Sequence, residues 1–228
     1  MAWVWNNLPQ IWQLTLVHAT LSVPPIVIGF VISIPLGYWA SRSRVARGIL
    51  LSIGGLLYTI PSLALVVFVP LALGLSLLDA RNVIVALSVY AVAMMLRSSA
   101  DAFASVSDDV REVATAIGYS TRQRFFAIEL PLALPVLLAG VRVVSVSTVS
   151  LVTVGAFIGV DSLGNLFTDS YQRDIPSEAV AGMVAVLVIA ALFDLILGRI
   201  GRLLTPWART QRVRAVDPAL LKRPGLRV

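Results

Sequence analysis

Residues 14–40 read LTLVHATLSVPPIVIGFVISIPLGYWA, a run of 27 positions without a formal charge. A helix that crosses the hydrocarbon of a bilayer needs about 20 predominantly apolar residues, so this stretch predicts a membrane span. Residues 48–78 are again uncharged, and residues 82–96 extend to about Ala104 if Arg97 and Asp101 sit near a polar surface. Residues 131–160 contain only Arg142, and residues 179–198 only Asp194. The expected fold is all-α, a polytopic membrane helix bundle of five spans. The second run, interrupted by Pro61 and Pro70, holds either one long tilted helix or a helix plus a partial one, so six spans is the alternative count.

Composition excludes most soluble chemistry. The chain has 228 residues, 58% hydrophobic and only 13% charged, with a mean hydropathy of +0.89, whereas about 25% charged residues is usual for soluble domains. It has no cysteine and a single histidine, His18, which rules out disulfides, thiolate zinc sites and cysteine nucleophiles, and leaves no His-rich metal cage. The one lysine, Lys222, lies in the C-terminal tail, so no Gly-Lys-Ser/Thr phosphate loop exists and ATP cannot bind by that route.

Arginine placement sets the expected orientation, because basic residues near span ends stay on the cytoplasmic side. With five spans and an outside N-terminus, the inner segments carry fourteen basic residues and the outer loops only Arg81 and Arg173. The outer segments also hold Asp79, Asp161, Asp169, Asp174 and Glu178. The first basic residue is Arg42, so the positive start of a cleavable signal is lacking and the first span is expected to be retained. A basic inner rim facing anionic lipid accounts for the net charge of +6 without nucleic acid. Residues 206–228 read as a polar cytoplasmic tail.

Between the third and fourth spans, residues 105–130 read as helix, glycine, helix. Asp109 with Glu112, and then Ser120 with Gln123, have the form of capping boxes, and Gly118 between them suits a left-handed helix end. Phe125, Phe126 and Ile128 supply an apolar stripe, and Pro131 suits the first turn of the next span. A stiff elbow continuous with a span can pass force from a soluble partner to membrane helices.

The elbow carries a family resemblance. Glu112-Val113-Ala114-Thr115-Ala116-Ile117-Gly118, nine residues, then Ile128-Glu129-Leu130-Pro131 resembles the EAA loop of ABC importer permeases, departing from it only where Val113 replaces alanine. Tyr58-Thr59-Ile60-Pro61-Ser62-Leu63-Ala64-Leu65, residues 130–135 with 139–142, and Gly155-Ala156-Phe157-Ile158-Gly159 with Leu163-Gly164 are similar to the osmoprotectant branch, the OpuC and ProW type. The resemblance covers most of residues 15–205. It implies a type-1 transmembrane domain over 15–205 with its coupling loop at about 105–131, and a bacterial inner-membrane protein that is not itself an enzyme. The implied importer comprises two such permease chains, identical or paralogous, two ATPase subunits that hold ATP and magnesium, and an extracytoplasmic solute-binding protein. Glu112, Ala114, Gly118, Ile128, Leu130 and Pro131 would form the coupling surface, with no cofactor on this chain.

Charges inside a span cost about 2.5–3.5 kcal/mol at its centre. Arg142 and Asp194 lie at similar depths on the fourth and fifth spans, roughly 15 Å from the inner ends at 1.5 Å per residue, and are expected to form a buried pair or to snorkel separately. His18 reads as a satisfied packing residue rather than a proton relay. Gly155 and Gly159 have GxxxG spacing, and Ser145, Ser147, Thr148, Ser150 and Thr153 before them either line a pore or pack helices. Prolines 24, 25 and 35 interrupt the first span, and Tyr58, Pro61 and Ser62 are further candidates for the solute path, with Tyr58, Trp39 and Tyr90 offering aromatic faces to a quaternary ammonium. Trp3, Trp5 and Trp12 suit an outer interfacial belt. The competing functions are an ABC permease for another small solute such as an amino acid, and an ATP-independent secondary transporter or channel. The latter needs its own chain of intramembrane carboxylates or repeated halves, and the spans supply the single Asp194 and no visible repeat.

Overall fold

The computed structural model describes residues 2–76 and 78–207; of the expected tail, only Pro206 and Trp207 fall among them. In chain order the helices are α1 (Ala2–Asn6), α2 (Leu8–Arg42), α3 (Arg44–Thr59), α4 (Ser62–Leu73), α5 (Ala80–Ala104), α6 (Asp108–Ala116) and α7 (Thr121–Arg124). A π turn (Phe125–Glu129), α8 (Leu130–Val152), a 3-10 turn (Thr153–Ile158), α9 (Asn165–Arg173) and α10 (Pro176–Leu204) follow. Four helical stretches are long and apolar enough to cross a membrane, or five if the bent pair α3 and α4 counts as one span. A sixth span has no candidate among the described residues.

The second span is the broken alternative. Pro61 disfavours the helical region for the residue before it, Ile60 takes φ −64° and ψ 129°, and α4 leaves α3 at 100°. The Tyr90 hydroxyl donates to the freed Ile60 carbonyl, which meets the requirement that non-helical backbone at membrane depth find a partner. The first span corrects the reading of Pro24, Pro25 and Pro35 as interruptions, since α2 runs through all three as one 35-residue helix. Neighbouring elements hold it. Gly29 and Gly37 lie so close to α5 that an added Cβ would stand 2.6 Å from the Ala91 Cβ and 2.4 Å from the Ser99 Cβ. Backbones that approach this closely pack by van der Waals contact, the main attraction available between helices in lipid.

α5 is the axis of the bundle. Val83, Ala86, Leu87, Ala91, Met95, Ala100, Ala102 and Phe103 are buried along it, with α2, α3, α4 and α8 around it. The fourth span also differs from its sequence reading. Its helix begins at Thr121 rather than Pro131, widens at Phe125–Glu129, where the Leu130 N–H bonds to the Phe125 carbonyl, and ends at Val152. Pro131 has no N–H to give, and its ring would press on the carbonyl four residues back; the widened turn just before it makes room.

At the far end of the bundle from the elbow, Gly155 and Gly159 are not a helix-packing pair. Gly155 lies in the 3-10 turn, and Gly159, at φ 81°, caps it in the left-handed region. Spacing by four marks one face only on an α-helix. His18 is wholly buried here, its Nε2 2.8 Å from the Val149 carbonyl and its Nδ1 accepting from the Leu163 N–H at 3.3 Å. That pairing describes a neutral imidazole protonated at Nε2, a packing residue tying α2 to the end of α8 and the loop beyond. Trp5 and Trp12 are exposed, whereas Trp3 packs on the cluster of Leu14, Val149, Leu163 and Ile189.

Candidate functional site

The elbow is built from local signals. α6 ends in a Schellman turn: Tyr119 N–H bonds to the Ala114 carbonyl at 3.1 Å and Gly118 N–H to the Thr115 carbonyl at 3.0 Å, with Gly118 at φ 95°. α7 starts with a complete capping box, Gln123 N–H to Ser120 Oγ and Ser120 N–H to Gln123 Oε1. The earlier box does not form. Ser107 stands at the cap of α6 without a side-chain bond, and Asp108, not Asp109, is engaged, pairing with Arg111 at 2.6 Å.

Of the residues expected to form the coupling surface, Ala114 is buried at 2% exposure and Glu112 is exposed. Ile128, Leu130 and Pro131 are half-buried where the elbow joins α8. Glu112 lines a cleft of about 420 Å³ with Arg111, Thr115, Ala116 and Arg124, across which Arg124 Nη1 donates to Thr115 Oγ1 at 2.7 Å. Val110, Val113 and Ile117 project outward on one side of α6, at spacings of three and four, with Tyr119 and Phe126 exposed nearby. The valine that departs from the EAA pattern is therefore part of an apolar face that has no partner among the described residues.

Glu129 is the residue that sequence reasoning missed. Its carboxylate is fully buried and faces three guanidinium groups from three segments. Arg42 at the end of α2 donates to Oε2, Arg124 of α7 donates to Oε1 at 2.9 Å, and Arg111 Nε of α6 lies 3.3 Å from Oε2. Arg111 also donates to the Phe103 carbonyl at the end of α5. Beside this hub, Tyr38, Phe103 and Phe125 pack together, with ring centroids 4.8–5.8 Å apart, and Arg42 lies over the Tyr38 ring. The available signal was an acidic residue at a span boundary whose nearest charged neighbours in sequence are Arg124 and Arg142; which arginines it meets is set by tertiary structure.

Arg142 and Asp194 are brought together as a two-pronged pair, Nε to Oδ1 at 2.8 Å and Nη2 to Oδ2 at 2.7 Å, joining α8 to α10. The expectation of burial is corrected, because their side chains are 44% and 35% exposed. They open onto a flank of α8 formed by Ala139, Val143, Val146 and Ser147, which continues to the exposed Ser150. Thr153 is half-buried and bonds to the Ser150 carbonyl. Tyr58, Pro61 and Ser62 form a separate group at the α3–α4 break, with Tyr58 edge-on to Tyr90 at 6.0 Å.

A bundle of membrane helices with a rigid elbow at one end, whose apolar face has no partner among the described residues, defines a membrane protein built to be engaged by another subunit. Residues 29–210 match the family described as the binding-protein-dependent transport system inner membrane component. The chain belongs to that family, the multi-pass permease subunits of ABC importers. It is 31% identical over 200 residues to the choline transport system permease protein OpuBB of Bacillus subtilis, covering 88% of this chain and 90% of that one. With the carnitine transport permease protein OpuCB of Listeria monocytogenes it shares 28% over 203 residues, 89% and 90% of the two chains. The glycine betaine/proline betaine permease ProW of Escherichia coli is 28% identical over 84% of this chain and 53% of its own length. Among solved structures, an inward-facing form of the MetNI methionine ABC transporter superposes with a TM-score of 0.74 at 23% identity, over 86% of this chain and 98% of that one. An amino acid ABC transporter gives 0.66 at 12% identity, over 88% and 95%.

Proposed function

We propose that the chain is the permease of an ATP-driven importer for a small osmoprotectant of the glycine betaine, choline, carnitine or proline class, working by alternating access. The observation that carries the coupling role is the exposed stripe Val110, Val113 and Ile117 on an elbow locked at both ends. The substrate class is supported by the relatives, permeases for choline, carnitine and glycine betaine/proline betaine. In this reading residues 15–205 form the transmembrane domain, and the N-terminus lies outside with the elbow and the tail after residue 205 in the cytoplasm. Two permease chains, identical or paralogous, enclose the path. Two ATPase subunits carry ATP and magnesium and receive the elbows, a solute-binding protein delivers cargo from outside, and this chain performs no chemistry of its own. The half-exposed Arg142–Asp194 pair and the α8 flank around it face the second permease or the path, since a charge pair turned toward lipid would be costly.

The test is reconstitution of the complete importer in proteoliposomes with labelled glycine betaine, choline, carnitine and proline. Uptake should require ATP, the ATPase and the binding protein, and Glu112→Lys should reduce uptake while leaving the chain inserted. Accumulation of solute by the purified chain alone, or transport indifferent to ATP, would overturn this reading.

A further inference from the structure

Arg97 lies on the exposed side of α5, four residues and so about 6 Å further into the bundle than Asp101, which pairs with Arg47 of α3. Arg97 itself makes no hydrogen bond or ion pair among the described residues. Arg97 stands seven residues, about 10 Å, from the inner end of α5 at Ala104, so facing lipid there would cost a fraction of the roughly 2.5–3.5 kcal/mol that applies at the span centre. The side it faces is not bare surface but a cleft of about 290 Å³ between α3 and α5, lined by Gly54, Gly55, Tyr58, Ala93, Met94 and Arg97. Paired glycines on α3 open the cleft; a Cβ added at Gly55 would meet nothing within 4 Å. Tyr58, 55% exposed, is held edge-on by Tyr90, whose hydroxyl caps the α3–α4 break. The cleft therefore ends against the broken helix, and unwound backbone at membrane depth is tolerated where it is buried in protein or lines a wet cavity.

An unpaired guanidinium and an aromatic ring on one small cleft form a complementary pair of recognition elements. A guanidinium takes a carboxylate through two parallel N–H bonds, and a tyrosine face attracts a quaternary ammonium. Arg142 offers no such vacancy, its guanidinium being taken by Asp194. We infer that the α3–α5 cleft is a transit site for a small zwitterion, with Arg97 receiving its carboxylate and the Tyr58 ring its alkylated ammonium. This rests on the importer reading above and adds to it a site within the permease.

The chain lacks cysteine, so Gly55→Cys places one thiol in the cleft without a steric clash. In the complete importer, an impermeant sulfonate-bearing methanethiosulfonate should modify this thiol faster than its trimethylammonium counterpart, by roughly fivefold or more, as expected for a nearby positive charge in a partly screened site. Adding Arg97→Gln should abolish that preference, and glycine betaine should slow the labelling. A thiol that impermeant reagents cannot reach, or rates unchanged by Arg97→Gln, would overturn the proposal. Labelling indifferent to glycine betaine would do the same, and would point to a lipid phosphate on Arg97 instead. In transport, Arg97→Gln should lower glycine betaine uptake roughly tenfold or more, the scale of one lost charge-assisted bond, and lower choline uptake, which has no carboxylate, by less than twofold. Tyr58→Leu should reduce both and Tyr58→Phe neither; equal losses of both solutes in Arg97→Gln refute the carboxylate role. If the wild-type importer carries neither solute, the substrate reading fails, while the labelling still decides whether the cleft is wet and anion-selective.

Discussion

Replacing Glu129 by glutamine keeps the shape of the side chain and one acceptor oxygen but removes the charge on which Arg42, Arg111 and Arg124 converge. The carboxylate is fully buried, and the three arginine side chains are 29%, 11% and 18% exposed, so solvent screens the cluster only in part. A hydrogen bond to a charged group contributes about 1.5–3 kcal/mol. Two of the three contacts are aligned bonds, and the third, at 3.3 Å, is Coulombic. Removing one member of a buried pair costs about 3–5 kcal/mol; the retained amide acceptor and the partial exposure bring the expected loss to about 3 kcal/mol. That is roughly a hundredfold change in the ratio of docked to undocked elbow. Hydrogen exchange in the membrane-embedded complex reads it directly, as amides of residues 118–124 should exchange far faster while those in the middle of α5 do not change. Uptake should fall with the chain still inserted. A double-mutant cycle with Arg42→Gln should give a coupling energy of about 1 kcal/mol or more. Unchanged exchange at the elbow in Glu129→Gln would refute the hub.

Gly118→Val puts a β-branched residue at φ 95° and should cost about 1–3 kcal/mol, seen as reduced uptake per ATP hydrolysed although open space surrounds the site; normal coupling would exclude strain at the turn. Arg142→Asp or Asp194→Arg alone should impair assembly or uptake, and the double exchange should restore part of the loss; no restoration would mean that the two act separately. His18→Ala leaves the Val149 carbonyl and Leu163 N–H without their partner and should lower stability by about 1–3 kcal/mol, measured as loss of the folded complex on heating in detergent. Gly164→Ala would set a Cβ 2.1 Å from the Thr153 carbonyl oxygen and should cost at least about 2 kcal/mol in the same assay.

Features encoded within a few residues were legible in the chain. Ser120 and Gln123 close a box across one turn, and Gly118, at φ 95°, supplies the left-handed end that glycine adopts most readily. Asp109 and Glu112 show the same pattern and fail, because the helix starts two residues earlier, with Ser107 at its cap, and Arg111 draws Asp108 to itself. Prolines proved ambiguous for a tertiary reason: Pro61 breaks its span where a hydroxyl from α5 waits at Ile60, whereas Pro24, Pro25 and Pro35 are carried within a helix packed tightly on α5. Arg142 and Asp194 could be matched by depth along two helices, but their exposure depends on which flank of α8 they occupy. Glu129 was legible only as a letter between Ile128 and Leu130, since its partners come from positions 42, 111 and 124.

The unbroken helical path from Thr121 through the π turn to Val152 makes a crowbar of about 48 Å. With Glu129 as fulcrum, about 12 Å of it lies on the elbow side and about 35 Å beyond. The arms then stand close to one to three, so were the path to pivot there, a push of about 2 Å at Thr121 would swing the tip at Val152 by about 6 Å.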